Sequence, residues 1–254
     1  MKIGIIGSRR LPELMKKSEE LIIHTPYGDV PVFVIKYKEH ELYFISRHGK
    51  QENLPPHKVN YRGNIQALAA SHVGYVLSIS TVGSMKPRIK TGDFVIPHDF
   101  FDATKSRSYT FFDDSRVHVD MSMPFCSAIR TSLKQSCEAL KGVSFHEDGV
   151  YLVTEGPRLE TPAEIKFYAS IADVVGMTLS PEVMLAREKN ICYGMICLVC
   201  NMGAGLQRRL TAEEITGMYA AKESTITTII KTTIERLQDD ATCQCPSSLS
   251  RAVL

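Results

Sequence analysis

Three hydroxyl side chains, one arginine and one histidine follow short apolar runs that the sequence pattern predicts to be strands. Ser8, Ser80 and Thr178 carry the hydroxyls, and Arg47 and His48 carry the guanidinium and the imidazole. Taken singly, each is most simply a cap, a turn or a surface residue. Together they offer a planar donor fork and several neutral donors, a combination suited to a phosphate-like anion. The sequence therefore predicts an oxyanion cradle wherever the fold brings these positions together.

Helical and strand patterns alternate along the chain. Strands are predicted over residues 2–7, 75–80, 94–97, 150–153, 174–175 and 191–200, with a hairpin over 32–37 and 42–46. Helices are predicted over 63–73, 124–140, 163–171, 181–189 and 211–237, the last with Thr211 as its N-cap. This alternation predicts an α/β fold, a single domain with a central mixed β-sheet flanked by helices. Ligands of open α/β sheets bind beyond the carboxyl ends of the strands, which is where the polar residues above lie.

Composition and charge limit the range of partners. The 254 residues are 44% hydrophobic, enough for one large domain over residues 1–240, followed by a C-terminal tail over 241–254. A formal net charge of +2 predicts no attraction to nucleic acid or to an anionic membrane, although a small anion can be held locally. The amino terminus has too short an apolar run for a signal peptide or a membrane span, so we expect a cytoplasmic protein.

The cysteine spacing argues against a structural metal site. The seven thiols include no Cys-x-x-Cys pair and have no histidine at zinc spacing, so most are expected to be buried apolar groups. The exception is the Cys-x-Cys pair of the tail, Cys243 and Cys245. These two thiols can form a local disulfide, pair with inner cysteines, or share this spacing by chance.

Two common catalytic patterns are poorly matched. The segment from Gly4 to Gly7 resembles a dinucleotide-binding turn, but it has no third glycine and no acid at a strand end about 20 residues later. Ser80 and His48 do not lie in a Gly-x-Ser-x-Gly context, which argues against a nucleophilic serine. Neither an oxidoreductase nor a hydrolase of these types is expected.

Four longer blocks occur in the order found in one protein family. They are 25–28 (TPYG), 47–49 (RHG) with 55–62 (PPHKVNYR), 155–161 (EGPRLET) with 163–164 (AE), and 175–178 (VGMT) with 181–182 (PE). On these blocks the chain resembles the trimeric purine nucleoside phosphorylases, most closely their methylthioadenosine and methylthioinosine phosphorylase branch, over about residues 2–237. Blocks of this length are far more specific than a lone glycine motif. The resemblance implies a nucleoside phosphorylase type of fold.

The reaction that this resemblance implies is phosphorolysis in purine salvage. Inorganic phosphate, a co-substrate, attacks the anomeric carbon of a purine nucleoside and gives the free base and a sugar 1-phosphate, with no metal or organic cofactor. Carried over by position, the phosphate site would consist of Ser8, Arg9, Arg47, His48, Ser80, Thr81 and Thr178. The substrate site would consist of Met177, Leu159, Glu160, Asn201, Met202, Gly203, His118 and Ala212. Asn201, Glu160 and His48 would be the catalytic residues.

Two of these positions concern the choice of base. Relatives that prefer adenine carry Asp where this chain has Asn201, and a small hydroxyl residue where it has Glu160. An Asn amide suits the N7 and O6 edge of a 6-oxopurine, and the Glu carboxylate suits its N1 proton. Methylthioinosine, inosine and guanosine are all expected substrates. Met121, Met123 and Ala212 are candidates for an apolar surround at the 5′ position, although methionines are more often ordinary core residues.

The chain departs from the family pattern at two positions. The first loop places Arg9 where relatives have a hydroxyl, so either the loop is displaced or Arg9 supplies charge instead. Glu52 stands where relatives usually have a histidine, and a carboxylate near phosphate is repulsive. These changes predict weaker phosphate binding or a different nucleophile.

Two other functions therefore stay open, a methylthioadenosine phosphorylase and a non-catalytic nucleoside-binding protein with an impaired phosphate site. The resemblance also implies a homotrimer or hexamer, in which a neighbouring subunit contributes to the 5′ pocket. His118 would face the 5′ substituent, and Met177 would lie along the ribose.

Overall fold

An eleven-stranded mixed sheet forms the centre of the computed structural model, which describes residues 1–238 and 243–252. Its strands are β1 (Lys2–Gly7), β2 (Glu19–Thr25), β3 (Gly28–Tyr37), β4 (His40–Ser46), β5 (Tyr75–Ser84), β6 (Phe94–Val95), β7 (Asp99–Asp102), β8 (Phe145–His146), β9 (Val150–Val153), β10 (Val174–Gly176) and β11 (Cys192–Met202). The helices are α1 (Pro12–Met15), α2 (Tyr61–Ala70), α3 (Ser127–Glu138), α4 (Pro162–Tyr168), α5 (Glu182–Glu188) and α6 (Ala212–Arg236). The predicted fold class is confirmed.

Strand β5 is the hub of the sheet. It pairs in parallel with β1 on one side and with β11 on the other, while its last residues pair antiparallel with β10. Strand β1 in turn lies parallel to β4, which continues as an antiparallel meander through β3 and β2. Because β1, β4, β5 and β11 run in one direction, their carboxyl ends meet at a single edge of the sheet.

Helices cover both faces of this sheet. Strand β1 shows why, since Ile6 packs into a core cluster that contains α2 and α5 residues, whereas Ile3 and Ile5 pack into one that contains α3 and α6 residues. Alternate residues of a strand point to opposite faces, and both faces of β1 are apolar. No helix within residues 1–238 and 243–252 combines the length and apolarity that crossing a bilayer requires.

Most predicted elements lie close to their expected positions, and their caps show why. Thr211 caps α6 in a reciprocal capping box with Glu214, and Thr161 caps α4 in the same way with Glu164. The sequence pattern missed β2, whose residues are mostly exposed on both faces and so carry no apolar alternation. The pattern also ended β5 too early, because its small residues up to Ser84 are held in the strand by pairing with β10 and β11.

The C-terminal segment packs on the body of the protein. Cys245 and Ala252 are 4% and 3% exposed, and the backbone N–H of Leu249 donates to the Asn190 side chain at 2.9 Å. The first two residues of the tail proposed from the sequence, 241 and 242, and its last two lie outside the described residues.

Candidate active site

The strand register brings the predicted site residues to one edge of the sheet. Gly7 at the end of β1 lies opposite Ser46 of β4 and Ile79 of β5. Further along β5, Gly83 lies opposite Val175 of β10 and Asn201 of β11. A cleft with about 730 Å³ of empty space opens at this edge. That space includes the open solvent at the mouth of the cleft.

Ten of the residues predicted for the site line this cleft. They are Ser8, His48, Ser80, Thr81, Leu159, Glu160, Met177, Thr178, Asn201 and Gly203. The cleft also contains residues that the sequence did not suggest, namely Pro56, Val82, Gly83, Val175, Gly176, Ala204, Leu210 and Ile215. The lining thus combines hydroxyl groups, which can hold an anion, with apolar side chains, which can pack against a flat ring.

Hydroxyl groups define the anion end. Ser80 Oγ lies 3.4 Å from Thr178 Oγ1 and 3.3 Å from the hydroxyl of Tyr151, which is fully buried. Burial raises the pKa of Tyr151 to about 12, so its hydroxyl keeps its proton and can donate. The hydroxyl oxygen of Ser8 is buried without a hydrogen-bond partner among the described residues. A buried unpartnered hydroxyl costs free energy, and an anion in the cleft would satisfy it.

His48 stands beside these hydroxyls in a fixed tautomer. Its Nδ1 lies 2.7 Å from the carbonyl oxygen of Leu54, which can only accept, so Nδ1 carries a proton. Burial and, next, the charge of Arg47 hold the pKa of the His48 imidazole below its ordinary value. The imidazole is therefore neutral near pH 7, and Nε2 has no hydrogen-bond partner within the described part of the chain.

Glu160 and Asn201 also line the cleft. Glu160 Oε1 accepts a hydrogen bond from Thr154 Oγ1 at 2.6 Å, which leaves the rest of the carboxylate free to accept another. Asn201 Nδ2 donates to the backbone oxygen of Met202 at 2.9 Å. This orientation retains one N–H and the Oδ1 acceptor of the amide. A Cβ atom added at Gly83 would lie 2.8 Å from Asn201 Nδ2, so the glycine makes room for this side chain.

Arg47 does not place its guanidinium in the cleft, contrary to the sequence prediction. The side chain is fully buried and forms a two-point ion pair with Glu182, at 2.7 Å from Nε and 2.9 Å from Nη2. The guanidinium also donates to Ser78 Oγ and to the backbone oxygens of Ile6 and Ile79. The backbone N–H of Arg47 donates to the backbone oxygen of Gly7. The carboxylate keeps the pKa of Arg47 above its ordinary value despite burial. Arg47 thus fastens the strand ends beneath the anion site.

The two departures from the family pattern also lie outside the cleft. Arg9 is exposed and faces an adjacent groove, together with Glu52. The Glu52 carboxylate accepts a hydrogen bond from the backbone N–H of Arg10 at 2.7 Å and forms an ion pair with its side chain. The expectation that Arg9 supplies charge to the anion has no support in this arrangement. Ser8 instead supplies the hydroxyl of this loop.

The predicted 5′ residues do not line the cleft of their own chain. His118 is exposed in a loop before α3, and Ala212 is exposed at the start of α6. Met123 is 65% exposed, and Met121 packs against a core cluster. Met202, also predicted to bind substrate, directs its backbone N–H to Gln207 Oε1 and does not line the cleft.

Arg107 holds two loops of the site together, and the sequence analysis did not identify it. Its side chain is 3% exposed and donates to the backbone oxygens of Met177 at 2.7 Å and of Glu155 at 2.9 Å. It also forms an ion pair with the Glu155 carboxylate. The guanidinium therefore joins the loop that carries Glu160 to the loop that carries Thr178. The sequence carried no signal for it, because Arg107 follows no predicted strand and lies in a long polar loop.

Comparisons with known proteins show the family to which the chain belongs. A family model described as "Phosphorylase superfamily" matches residues 2–235. The chain is 41% identical over 254 residues to a "Probable S-methyl-5'-thioinosine phosphorylase" of Methanocaldococcus jannaschii, covering 99% of both chains. It is 39% identical over 255 residues to a "Probable 6-oxopurine nucleoside phosphorylase" of Dictyoglomus turgidum, covering 98% of this chain and 97% of that protein.

The chain is also similar to proteins named as methylthioadenosine phosphorylases, one curated relative and one solved structure. The chain is 39% identical over 262 residues to an "S-methyl-5'-thioadenosine phosphorylase" of Saccharolobus solfataricus, covering 99% of this chain and 97% of that protein. A methylthioadenosine phosphorylase structure from an antarctic soil metagenomic library has a TM-score of 0.90 and 29% identity, covering 99% of this chain and 92% of that one. The resemblance seen in the sequence blocks is confirmed, and the chain belongs to the phosphorylase superfamily.

Proposed function

We propose that this protein is a purine nucleoside phosphorylase that cleaves 6-oxopurine nucleosides, methylthioinosine, inosine or guanosine, with inorganic phosphate. One observation carries the proposal: Glu160 and Asn201 line the same cleft as the hydroxyls of Ser8, Ser80 and Thr178. An anion site and a site for the edge of a 6-oxopurine thus face a single cavity. The similar proteins of Methanocaldococcus jannaschii and Dictyoglomus turgidum carry names of this kind.

Residues of the cleft can act on both the attacking phosphate and the leaving base. Phosphate held by the hydroxyls, beside His48, attacks C1′ of the ribose, so that a C–O bond forms as the bond from C1′ to N9 breaks. The electron pair of that bond goes to the purine, which takes up on N7 the proton that the hydrogen phosphate loses to solvent, and leaves as the neutral base. Asn201 Oδ1 accepts from N7–H while its free N–H donates to O6, and Glu160 accepts from N1–H. These contacts strengthen as charge develops on the base, which lowers the barrier.

The base assignment is tested by exchanging the amide for a carboxylate. In N201D the group facing O6 can no longer donate, and a carboxylate instead suits the amino group of adenine. We expect the ratio of kcat/KM for inosine to that for adenosine to fall by about 100-fold. Inosine loses the hydrogen bond to its O6, and adenosine gains one from its amino group to the new carboxylate. N53D, an equivalent change at an exposed asparagine outside the cleft, should leave this ratio unchanged.

A second candidate is a methylthioadenosine phosphorylase. Its support is the 39% identity to the Saccharolobus solfataricus protein of that name. If the wild-type enzyme prefers methylthioadenosine and N201D leaves that preference unchanged, the interpretation of Asn201 and Glu160 is wrong. Such a result would leave phosphorolysis as the reaction and change only the preferred base, from a 6-oxopurine to adenine.

We further propose that the protein assembles as a trimer or a double trimer in which a neighbouring subunit closes the 5′ end of the cleft. The support is that His118 and Ala212 lie outside the cleft of their own chain. The structure also exposes large apolar side chains, among them Phe167 at 68% and Ile171 at 45%. Exposed apolar groups of this size are common at subunit contacts.

A further inference from the structure

Four of the seven cysteines converge on one point although they are far apart in sequence. The Sγ atoms of Cys126, Cys192, Cys243 and Cys245 all lie within 4.8 Å of one another. Cys243 Sγ is 3.5 Å from Cys126 Sγ and 3.6 Å from Cys192 Sγ. All four are free thiols, and each except Cys243 is buried. The spacing argument made from the sequence considered only neighbours in sequence, so it could not reveal this cluster.

The body of the protein holds two of these thiols in fixed positions. Cys126 is the N-cap residue of α3, and its backbone N–H donates to the backbone oxygen of Tyr193 at 2.8 Å. Tyr193 directly follows Cys192, the first residue of β11. The start of a helix and the start of a central strand therefore present a preformed pair of sulfurs.

The C-terminal segment brings the other two. Cys243 and Cys245 flank a single residue, and the short 3₁₀ turn Cys245–Ser247 follows. Contacts beyond this turn hold the segment in place, since the N–H of Leu249 donates to Asn190 Oδ1 and the N–H of His118 donates to the carbonyl oxygen of Ala252.

The spacing of the four sulfurs matches tetrahedral coordination. Zinc binds thiolate sulfur at about 2.3 Å, which puts neighbouring sulfurs of a tetrahedron about 3.8 Å apart. The two distances to Cys243 and the 4.8 Å limit for the whole set bracket this value. Four soft sulfur ligands select zinc over calcium or magnesium, and a closed set of four protein ligands is typical of structural rather than catalytic zinc.

A buried cation next to the cluster fits the charge of such a site. Arg187 is 8% exposed, and its Nη1 lies 3.4 Å from Cys245 Sγ. Its remaining hydrogen-bond partners are neutral, the hydroxyl of Ser248 and the carbonyl oxygen of Met123. Asp120 interacts with it electrostatically but is exposed, and within the described residues Arg187 forms no ion pair with a carboxylate. A buried guanidinium requires a negative partner, and zinc with four thiolates carries a net charge of about −2.

We propose that Cys126, Cys192, Cys243 and Cys245 bind a structural zinc ion that fastens the C-terminal segment to the start of β11. The site is distinct from the cleft. Strand β11 begins at Cys192 and reaches the cleft at Asn201, nine residues later. At about 3.3 Å per residue, the two lie roughly 30 Å apart. Zinc therefore stabilises the folded chain and takes no part in the chemistry.

The test is metal analysis of the full-length protein, purified under reducing conditions without oxygen. We expect about one zinc ion per chain in wild type and in C137S, which removes a buried cysteine outside the cluster, and none in C243S/C245S. Cobalt substituted into the wild-type protein should show the visible absorption of a tetrahedral thiolate site. A chelator should lower the Tm of wild type and leave that of C243S/C245S unchanged, with kcat unaffected at moderate temperature.

The result that overturns the proposal can be read from the wild-type protein alone, so it does not depend on whether a variant folds. Reduced wild-type protein that takes up neither zinc nor cobalt contradicts it. So does a thiol count below seven after denaturation without reductant in protein that contains no zinc, because the cluster would then consist of disulfides. A full count of seven thiols together with one zinc supports the proposal.

Discussion

At the residue scale, the anion end of the cleft is made of neutral donors. Ser8, Ser80 and Thr178 contribute hydroxyls, while the guanidinium of Arg47 is turned into the protein and paired with Glu182. The sequence could predict the hydroxyls because each follows or lies in a strand that ends at the same edge. It could not predict where the Arg47 side chain points, because this depends on Glu182, a residue 135 positions later.

Substitutions of Ser8 and Arg9 distinguish two interpretations of the first loop, in which either Ser8 or Arg9 binds the phosphate. S8A removes a hydroxyl buried in the cleft, and we expect the KM for phosphate to rise about tenfold or more, the cost of one hydrogen bond to a charged group. R9A alters only an exposed side chain in the adjacent groove and should leave this KM within about twofold. Steady-state kinetics at saturating nucleoside measure both. The reverse order of effects would show that Arg9 holds the phosphate.

His48 predicts a pH dependence of phosphate binding. Its pKa lies below the ordinary value, so the imidazole gains a proton on Nε2, and with it a second donor, only as the pH falls through that lowered pKa. The factor by which H48N raises the KM for phosphate should therefore be largest at acidic pH and shrink as the pH rises. Phosphate KM values for wild type and H48N between about pH 5 and 8 measure this factor. A factor that stays constant across this range would mean that His48 does not titrate in contact with phosphate.

At the element scale, two buried arginines hold the strand ends and loops in register. Arg47 joins β1, β4 and β5 through Ile6 and Ile79, and Arg107 joins the loops after β9 and β10. The sequence predicted β1, β11 and the cap of α6 closely, because apolar runs and capping residues are local signals. It missed β2 and the role of Arg107, because an exposed edge strand has no apolar alternation and a loop arginine acquires its partners only in the folded chain.

The Arg47–Glu182 pair predicts a large effect on stability. E182Q leaves the guanidinium buried without its countercharge, and we expect the free energy of unfolding to fall by about 3–5 kcal/mol. R47M/E182L, which removes both charges, should lose less than E182Q does. Urea denaturation of both variants measures the difference. E13Q, which breaks the exposed Lys16–Glu13 pair, is the matched control and should leave the urea midpoint unchanged. Equal losses in E182Q and E13Q would contradict this account of the pair.

At the scale of the whole molecule, the proposed assembly predicts that a residue distant from its own cleft affects substrate choice. H118A should change the ratio of kcat/KM for methylthioinosine to that for inosine by about tenfold, because the neighbour's histidine would then be missing from the 5′ pocket. H24A, which removes another exposed histidine, is the control. Native mass measurement should give a trimer or hexamer for both variants. A monomeric wild-type protein, or a ratio that H118A leaves unchanged, would contradict the shared pocket.

The proposed function requires that phosphate in this cleft cleaves 6-oxopurine nucleosides. The most direct measurement follows release of free base from methylthioinosine, inosine, guanosine and methylthioadenosine, each with and without phosphate. We expect phosphate-dependent release from the three 6-oxopurine nucleosides and little from methylthioadenosine. Release that does not depend on phosphate, or no release from any of them, would contradict it, and the latter result would favour a protein that binds nucleosides without cleaving them.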